Sequence, residues 1–100
     1  MKISVLIKEP DKAPRHVHIS NNLQNLQKTV GGDIETVTLA TDLVIICNEE
    51  GRILKFPLCC NICGIDFVGT IIICGAAGDK FADLPVSWAD MKVMFPQLWR

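Results

Sequence analysis

The sequence lacks tyrosine, lacks an excess of either charge and lacks a long run of apolar residues. Ten Lys and Arg residues stand against eleven Asp and Glu residues, which gives a net charge of -1 at pH 7. A nucleic-acid binder usually carries a basic stripe, and a mimic of DNA phosphates needs a strong acidic excess. The basic residues here are scattered along the chain, so neither class of protein is favoured.

Membrane and secretory segments are also missing from the sequence. The longest apolar run, residues 68–77, is about half the length of a membrane-spanning helix. The N-terminal apolar segment, residues 3–7, ends at a charged stretch and is shorter than the roughly 7–15 residues of a secretory signal. The five cysteines are an odd number and do not indicate a disulfide framework. We therefore expect a cytoplasmic protein without membrane contact.

Length and composition predict one globular domain over residues 1–100. Hydrophobic residues make up 49% of the chain and charged residues 21%, and a chain of this length can bury a single core. We predict a single α+β domain with a mixed, largely antiparallel sheet of about five or six strands, one packed helix and a short C-terminal helix. The predicted strands cover residues 2–8, 15–19, 33–39, 43–48, 52–56 and 66–74.

The stretch from residue 30 to residue 56 organises this prediction. Five consecutive apolar residues, 43–47, indicate a strand covered on both faces, which we place at the centre of the sheet. The turn 48–51 ends with Gly51, which suits a hairpin loop, so residues 52–56 are expected to pair back onto this strand. Residues 57–64 fit a single helical turn or a loop, and residues 81–84 fit a short strand or an irregular segment.

The first helix is predicted from its capping residues and its apolar spacing. Ser20 or Asn21 can cap its start, and Gly31 can end it in the left-handed conformation. The face expected to pack on the sheet carries Leu23, Leu26 and Val30.

The C-terminal helix gathers most of the large apolar side chains near the end of the chain. It begins either with Pro85 in its first turn or at Ser87, which can cap it, and Pro96 ends it. These side chains either close the core or bury against a protein partner or a second copy of the chain. The candidate interaction residues are Trp88, Met91, Phe95, Leu98 and Trp99.

Three motifs together resemble a known family. They are Val-Gly-Gly-Asp-Ile-Glu at 30–35, Ile-Cys-Asn-Glu-Glu-Gly at 46–51, and Gly69-Thr70 leading through an apolar strand to Gly-Ala-Ala-Gly-Asp-Lys-Phe at 75–81. In this order they resemble a family of small bacterial and phage proteins catalogued only as a domain of unknown function. The resemblance implies a compact α+β domain in a cytoplasmic protein of gut bacteria, conjugative elements or phages, without assigned catalytic residues. The segment 59–63 departs from the family pattern, so its cysteines are particular to this chain.

Two residue pairs are candidate metal ligands. Cys60 and Cys63 form a C-x-x-C, which suits zinc or a thiol redox centre when further ligands or a helix N-terminus are present. His16 and His18 lie two apart on a predicted strand and therefore share a face. The favoured alternatives are cysteines that act as small core residues and histidines on an exposed polar face. We accordingly predict no resident metal and no cofactor.

The sequence supplies no recognisable catalytic constellation. The segment 75–80 is glycine-rich after a strand, but it has neither the spacing of a phosphate-binding loop nor a following helix. The carboxylates of the chain cannot be placed together in a pocket from sequence alone. An enzyme is thus disfavoured, and no catalytic residue is predicted.

The leading prediction is a non-catalytic accessory or interaction protein of a bacterium or a mobile element. It would act through its C-terminal apolar surface or an exposed sheet edge. The alternative is a small metal- or thiol-redox-dependent protein that uses the segment 59–63.

Overall fold

The computed structural model describes residues 1–99. Within this range the elements in chain order are β1 (Lys2–Lys8), β2 (Arg15–Ser20), α1 (Leu23–Val30), β3 (Ile34–Ala40), β4 (Leu43–Asn48), β5 (Leu58–Ile62), β6 (Ile65–Val68), β7 (Ile71–Ala77), β8 (Lys80–Ala82), α2 (Trp88–Met94) and a 3-10 turn (Pro96–Trp99).

Six strands form one sheet, and two form a separate hairpin. The sheet has the order β2-β1-β7-β4-β3, and β8 pairs with the C-terminal half of β7. The hairpin consists of β5 and β6. All of these pairings are antiparallel. The predicted α+β class is confirmed, as is the predicted number of strands in the sheet.

The first and the fourth strands match the sequence prediction closely. β1 pairs with β2, so the predicted N-terminal hairpin is present. Every residue of β4 is buried, as expected for a strand covered on both faces. The centre of the sheet is β7, however, and β4 lies next to it, between β7 and β3.

The prediction that residues 52–56 form a hairpin with β4 is wrong. Residues 49–55 form consecutive turns, with backbone hydrogen bonds from Leu54 to Glu50 and from Phe56 to Gly51. Lys55 has a φ of 58°, which a strand does not adopt. The physical reason is that β3 and β7 occupy both edges of β4, so no edge remains for residues 52–56.

The prediction for residues 57–74 is also corrected. Residues 57–64 are neither a helical turn nor a loop, because β5 occupies most of this segment. Cys63 and Gly64 form its tight turn with φ values of 52° and 82°, and two positive φ values suit a two-residue hairpin loop. The single strand predicted at 66–74 is divided at Gly69, which has a φ of 72°, so that β6 and β7 enter different sheets.

The sheet buries apolar side chains on both faces. α1 covers one face through Leu26 and Val30. The hairpin, α2 and the 3-10 turn cover the other face, and their fully buried contributions are Ile62, Met91 and Leu98. None of the helices in residues 1–99 is long and apolar enough to cross a membrane.

The caps of the helices agree with the sequence only in part. Asn22 caps α1, rather than Ser20 or Asn21, and its Oδ1 accepts a hydrogen bond of 2.7 Å from the Asn25 amide. Gly31 ends α1 with a φ of 86°, as predicted. Leu23 is 57% exposed, because it lies in the first turn of a helix that is shorter than expected.

Candidate interaction surface

The strand β2 lies at one margin of the sheet. It pairs with β1 on one side, and within residues 1–99 no strand pairs with its other side. Val17 and Ile19 are half-buried on the α1 face, whereas His16 and His18 are exposed on the opposite face, as the alternation in the sequence predicts. An open strand edge presents unpaired N–H and C=O groups, which can pair with another extended segment.

An aromatic cluster lies beside this edge, and we call it the tryptophan cluster. The ring of His16 is stacked with Trp88, with 6.0 Å between centroids, and Trp99 meets Trp88 edge-on at 5.3 Å. The Lys92 ammonium lies 5.7 Å from the centroids of both tryptophan rings, within the range of a cation–π contact. His18 adjoins it at 5.9 Å from His16. Two predicted sets, the histidines and the tryptophans, thus meet on one surface.

The other predicted interaction residues are core residues. Met91 and Leu98 are fully buried, and Phe95 is 9% exposed in the same cluster. Trp88 and Trp99 are only partly buried against it. The apolar C-terminal residues therefore divide between core closure and surface, the two alternatives that the sequence left open.

The sequence analysis does not identify Lys92 as a member of the tryptophan cluster, although a local signal for its contact with Trp88 exists. It follows Trp88 by four residues, and residues at this spacing are neighbours on one helix face. The contact between His16 and Trp88 has no such signal, because it joins residues far apart in the chain.

The N-cap of α2 positions Trp88. The Ser87 hydroxyl accepts a hydrogen bond of 3.1 Å from the Asp90 amide, which confirms the predicted capping residue. We expect Ser87→Ala to lower the free energy of unfolding by about 1 kcal/mol, because the Asp90 amide loses its acceptor. Urea unfolding followed by tryptophan fluorescence measures the loss. Asp90→Ala is the control, since it removes a side chain but leaves the backbone amide capped, and a larger loss in this control would contradict the capping role.

The predicted C-x-x-C does not form a helix-terminal redox site. Cys60 lies in β5 with 8% exposure, and Cys63 lies in the exposed hairpin turn. A redox C-x-x-C lies at the start of a helix, but the elements on either side of Cys63 are the strands β5 and β6, which pair as a hairpin. Residues 1–99 also contain no group of three or more His, Cys, Asp or Glu side chains that could hold a metal ion.

The thiols differ in their electrostatic surroundings. Burial raises the pKa of the Cys74 thiol to about 12, and burial likewise raises the pKa of Cys47. Hydrogen bonding between the adjacent thiols raises the pKa of Cys59 and lowers the pKa of Cys60.

The fold brings together carboxylates that the sequence could not place. Glu35, Glu49 and Asp66 line a cleft of about 200 Å³ together with Arg52 and Cys47. The guanidinium of Arg52 donates a 2.7 Å hydrogen bond to the Asp66 carbonyl. All three acidic residues are exposed, so this cleft is a solvated surface feature, and the open edge of β2 is the stronger candidate site.

Comparison with known proteins identifies a family. Residues 1–95 match the family described as a domain of unknown function (DUF3846), which confirms the family of unknown function predicted from the motifs. No curated protein and no solved structure matches the chain.

Proposed function

We propose that this chain, which belongs to the family described as a domain of unknown function (DUF3846), is a non-catalytic accessory protein that binds an extended segment of a protein partner along β2. The observation that carries the proposal is the tryptophan cluster beside an open strand edge. Strand addition supplies affinity through main-chain hydrogen bonds, and neighbouring side-chain contacts supply specificity.

The edge of β2 suits strand addition better than the opposite edge of the sheet. β3 is also a marginal strand, but its pairing with β4 is irregular between Thr38 and Ala40. A bulge twists an edge away from regular pairing, which is one way in which proteins protect an edge. The pairing of β2 with β1 is continuous from Arg15 to Ser20, so its outer side offers a regular template.

The chemistry of the surface indicates an acidic partner segment. Lys92 places positive charge beside the tryptophan cluster, Arg15 is the first residue of β2, and His16 and His18 line the exposed face of the strand. Arg15 and Lys12 both form ion pairs with the Glu9 carboxylate. The Arg15 guanidinium and the Lys12 ammonium each lie 3.1 Å from one of its oxygens. The contact with Lys12 chiefly holds the pKa of Glu9 below its ordinary value. A partner carboxylate beside the tryptophan cluster would pair with Lys92, while an apolar neighbour would contact the indole rings.

The proposed setting is the cytoplasm of a bacterium or a phage-infected cell, as the family resemblance implies. The alternative of a C-x-x-C metal or redox centre is less well supported, because Cys60 is buried and Cys63 lies in an exposed turn.

The experiment uses peptides selected for binding to the folded chain. We expect selected peptides to contain an acidic residue and to perturb the backbone amide signals of β2 and the indole signals of Trp88 and Trp99 in NMR spectra. Trp88→Ala with Trp99→Ala should weaken binding at least about thirtyfold, since one buried tryptophan at an interface already contributes about 2 kcal/mol or more. Titration calorimetry measures the affinity.

Val93→Ala is the matched control, because Val93 lies on the same helix and is 81% exposed. This control should leave the affinity unchanged. Peptides that perturb α1 instead, or that bind the double tryptophan variant equally well, would overturn the proposal. A concentration-dependent dimer in sedimentation, with β2 protected in both copies, would also overturn it, because the occupant would then be a second copy of the chain.

A further inference from the structure

The open edge of β2 presents the main-chain groups of alternate residues only. The Asn21 amide donates a 2.9 Å hydrogen bond to the Met1 carbonyl, so the pair just beyond the two strands is hydrogen-bonded. Hydrogen-bonded and non-hydrogen-bonded pairs alternate along an antiparallel ladder. The register of β1 and β2 therefore directs the main-chain groups of the odd-numbered residues of β2 toward β1. The residues whose N–H and C=O groups face the open edge are His16, His18 and Ser20.

Hydrogen bonds on the far side of β1 agree with this alternation. Ser4 is the residue of β1 that lies opposite His18. The Ser4 amide donates to the Asp83 carboxylate at 2.8 Å, and the Ser4 carbonyl accepts from the Leu84 amide at 2.8 Å. Both main-chain groups of Ser4 are thus used away from β2. Ser4 and His18 form a non-hydrogen-bonded pair, and the main chain of His18 faces outward.

The edge available for pairing is short. The outward carbonyl of Ser20 already accepts a 3.0 Å hydrogen bond from the Asn22 amide and a 3.2 Å hydrogen bond from Asn25 Nδ2, at the start of α1. At the other end of β2, Pro14 has no N–H to donate. An added strand can therefore exchange both hydrogen bonds only with the two histidines of β2.

The side chains of the same two residues lie at the tryptophan cluster. His16 is stacked with Trp88 at 6.0 Å, and His18 lies 5.9 Å from His16. Because directly opposed residues carry their side chains on the same face, a partner residue paired with either histidine places its side chain on this face. An imidazole ring donates at least one N–H whether it is neutral or charged, and the Lys92 ammonium lies beside the indole rings. Carboxylates, which only accept, complement these donors.

The partner residue between these two lies on the opposite face of the sheet. It would be placed opposite Val17, on the face that α1 covers. Val17 and Ile19 pack against the α1 side of the core but are only half-buried. An apolar side chain would cover their exposed surface at the close spacing of a non-hydrogen-bonded pair.

Building on the proposed function, we propose that the partner segment adds antiparallel to β2 over three residues in the order acidic, apolar, acidic. The outer two pair through their main chain with His16 and His18, and the middle one covers Val17 and Ile19. Antiparallel addition lets each histidine exchange both of its hydrogen bonds with a single partner residue. A parallel strand would spread the same bonds over a longer segment, because its hydrogen bonds are slanted.

Amide hydrogen exchange in the free, unmutated chain tests the alternation at the edge. We expect the amides of His16 and His18 to exchange rapidly, because they face solvent. The amides of Val17 and Ile19 should be protected, because they donate to β1. Protection of His16 and His18 equal to that of Val17 would overturn the inference, whether or not a peptide binds.

The binding experiment titrates a capped peptide, Thr-Glu-Val-Glu-Thr, into the unmutated chain and follows the amides of β2 by NMR. Binding should protect the amides of His16 and His18 from exchange. N-methylation of either Glu of the peptide should weaken binding at least about tenfold, because each of these N–H groups donates to a histidine carbonyl. N-methylation of the peptide Val is the matched control and should change the affinity by less than about twofold, since its N–H points away from β2.

A variant of the chain tests the direction of the added strand. Replacing either Glu of the peptide with Gln should weaken binding to the unmutated chain about threefold, as expected for a favourable cross-strand pair. In an antiparallel arrangement the first Glu lies opposite His18. His18→Ala should therefore abolish the effect of Gln at the first position and preserve it at the second. The reverse result would indicate a parallel strand and overturn the proposal.

The outcomes separate this inference from the proposed function. Peptides that perturb β2 while Thr-Glu-Val-Glu-Thr does not bind would leave strand addition standing and overturn the acidic, apolar, acidic order. An N-methyl effect at Val as large as that at Glu would overturn the register in the same way. If no peptide perturbs β2, or if a second copy of the chain occupies this edge, both proposals are overturned.

Discussion

Replacing Gly75 with alanine is expected to lower the free energy of unfolding by about 3 kcal/mol, the upper range for overpacking a buried site. Gly75 is buried in the central strand β7, where it pairs with Leu43 on one side and Ala82 on the other. A Cβ atom at this position would overlap the backbone carbonyl oxygen of Asp83. The overlap involves main-chain atoms, so no side-chain rotation can relieve it.

The displaced backbone would also disturb the hydrogen bonds between this segment and β1. The Asp83 carboxylate accepts a 2.8 Å hydrogen bond from the Ser4 amide, and the Leu84 amide donates to the Ser4 carbonyl at 2.8 Å. These two bonds tie the segment after β8 to β1. Moving Asp83 away from an added methyl group would therefore lengthen bonds to a second strand.

Urea unfolding followed by tryptophan fluorescence measures the effect of Gly75→Ala. The control is Gly64→Ala in the hairpin turn, where a Cβ atom meets nothing within 4 Å but φ is 82°. This control should cost only the 1–2 kcal/mol of a left-handed alanine. A smaller loss at Gly75 than at Gly64 would show that the backbone near Asp83 accommodates a side chain.

Replacing Asn48 with alanine is expected to lower the free energy of unfolding by about 2–3 kcal/mol, because one buried and one partly buried backbone group lose their hydrogen-bond partners. Asn48 is 6% exposed at the end of β4. Its Nδ2 donates to the Val30 carbonyl at 3.2 Å, and its Oδ1 accepts from the Glu50 amide at 2.7 Å. One side chain thus joins the end of α1 to the turn after β4.

Gly32 makes this arrangement possible. A Cβ atom on Gly32 would approach Asn48 Nδ2 to 2.9 Å. The motif at 30–35 and the motif at 46–51, which the sequence shows as separate signals, are therefore two halves of one structural contact. This contact gives both motifs a role in the fold.

Asn61→Ala is the matched control for Asn48→Ala, and both are compared by chemical denaturation at equilibrium. Asn61 is exposed, and its Nδ2 donates to the Asp66 carboxylate at 2.8 Å on the solvent side. Its removal should change stability by no more than about 0.5 kcal/mol. Equal losses in the two variants would contradict a special role for the buried amide.

The candidate site could be predicted from sequence only in pieces. Trp88 and Trp99 were identified by their concentration near the C-terminus, and His16 and His18 by their alternation in a strand. Each signal is local. Their meeting on one surface depends on α2 folding back beside the strand β2, and no local pattern specifies that approach. The bulge in β5, where Cys59 is an extra residue between Leu58 and Cys60, could not be predicted for a similar reason. A bulge is defined only by the pairing with the partner strand, which here is β6.

The sequence by itself determined the features that depend on neighbouring residues. Alternation predicted β1 and β2, the continuous apolar run predicted β4, and Gly31 marked the end of α1 because glycine adopts the left-handed conformation readily. The tertiary structure decided which strands pair. β4 joins β7 instead of forming a hairpin with residues 52–56, because pairing two largely apolar strands buries both in the sheet. Such long-range burial outweighs a favourable local turn, and it is set only when the whole sheet assembles.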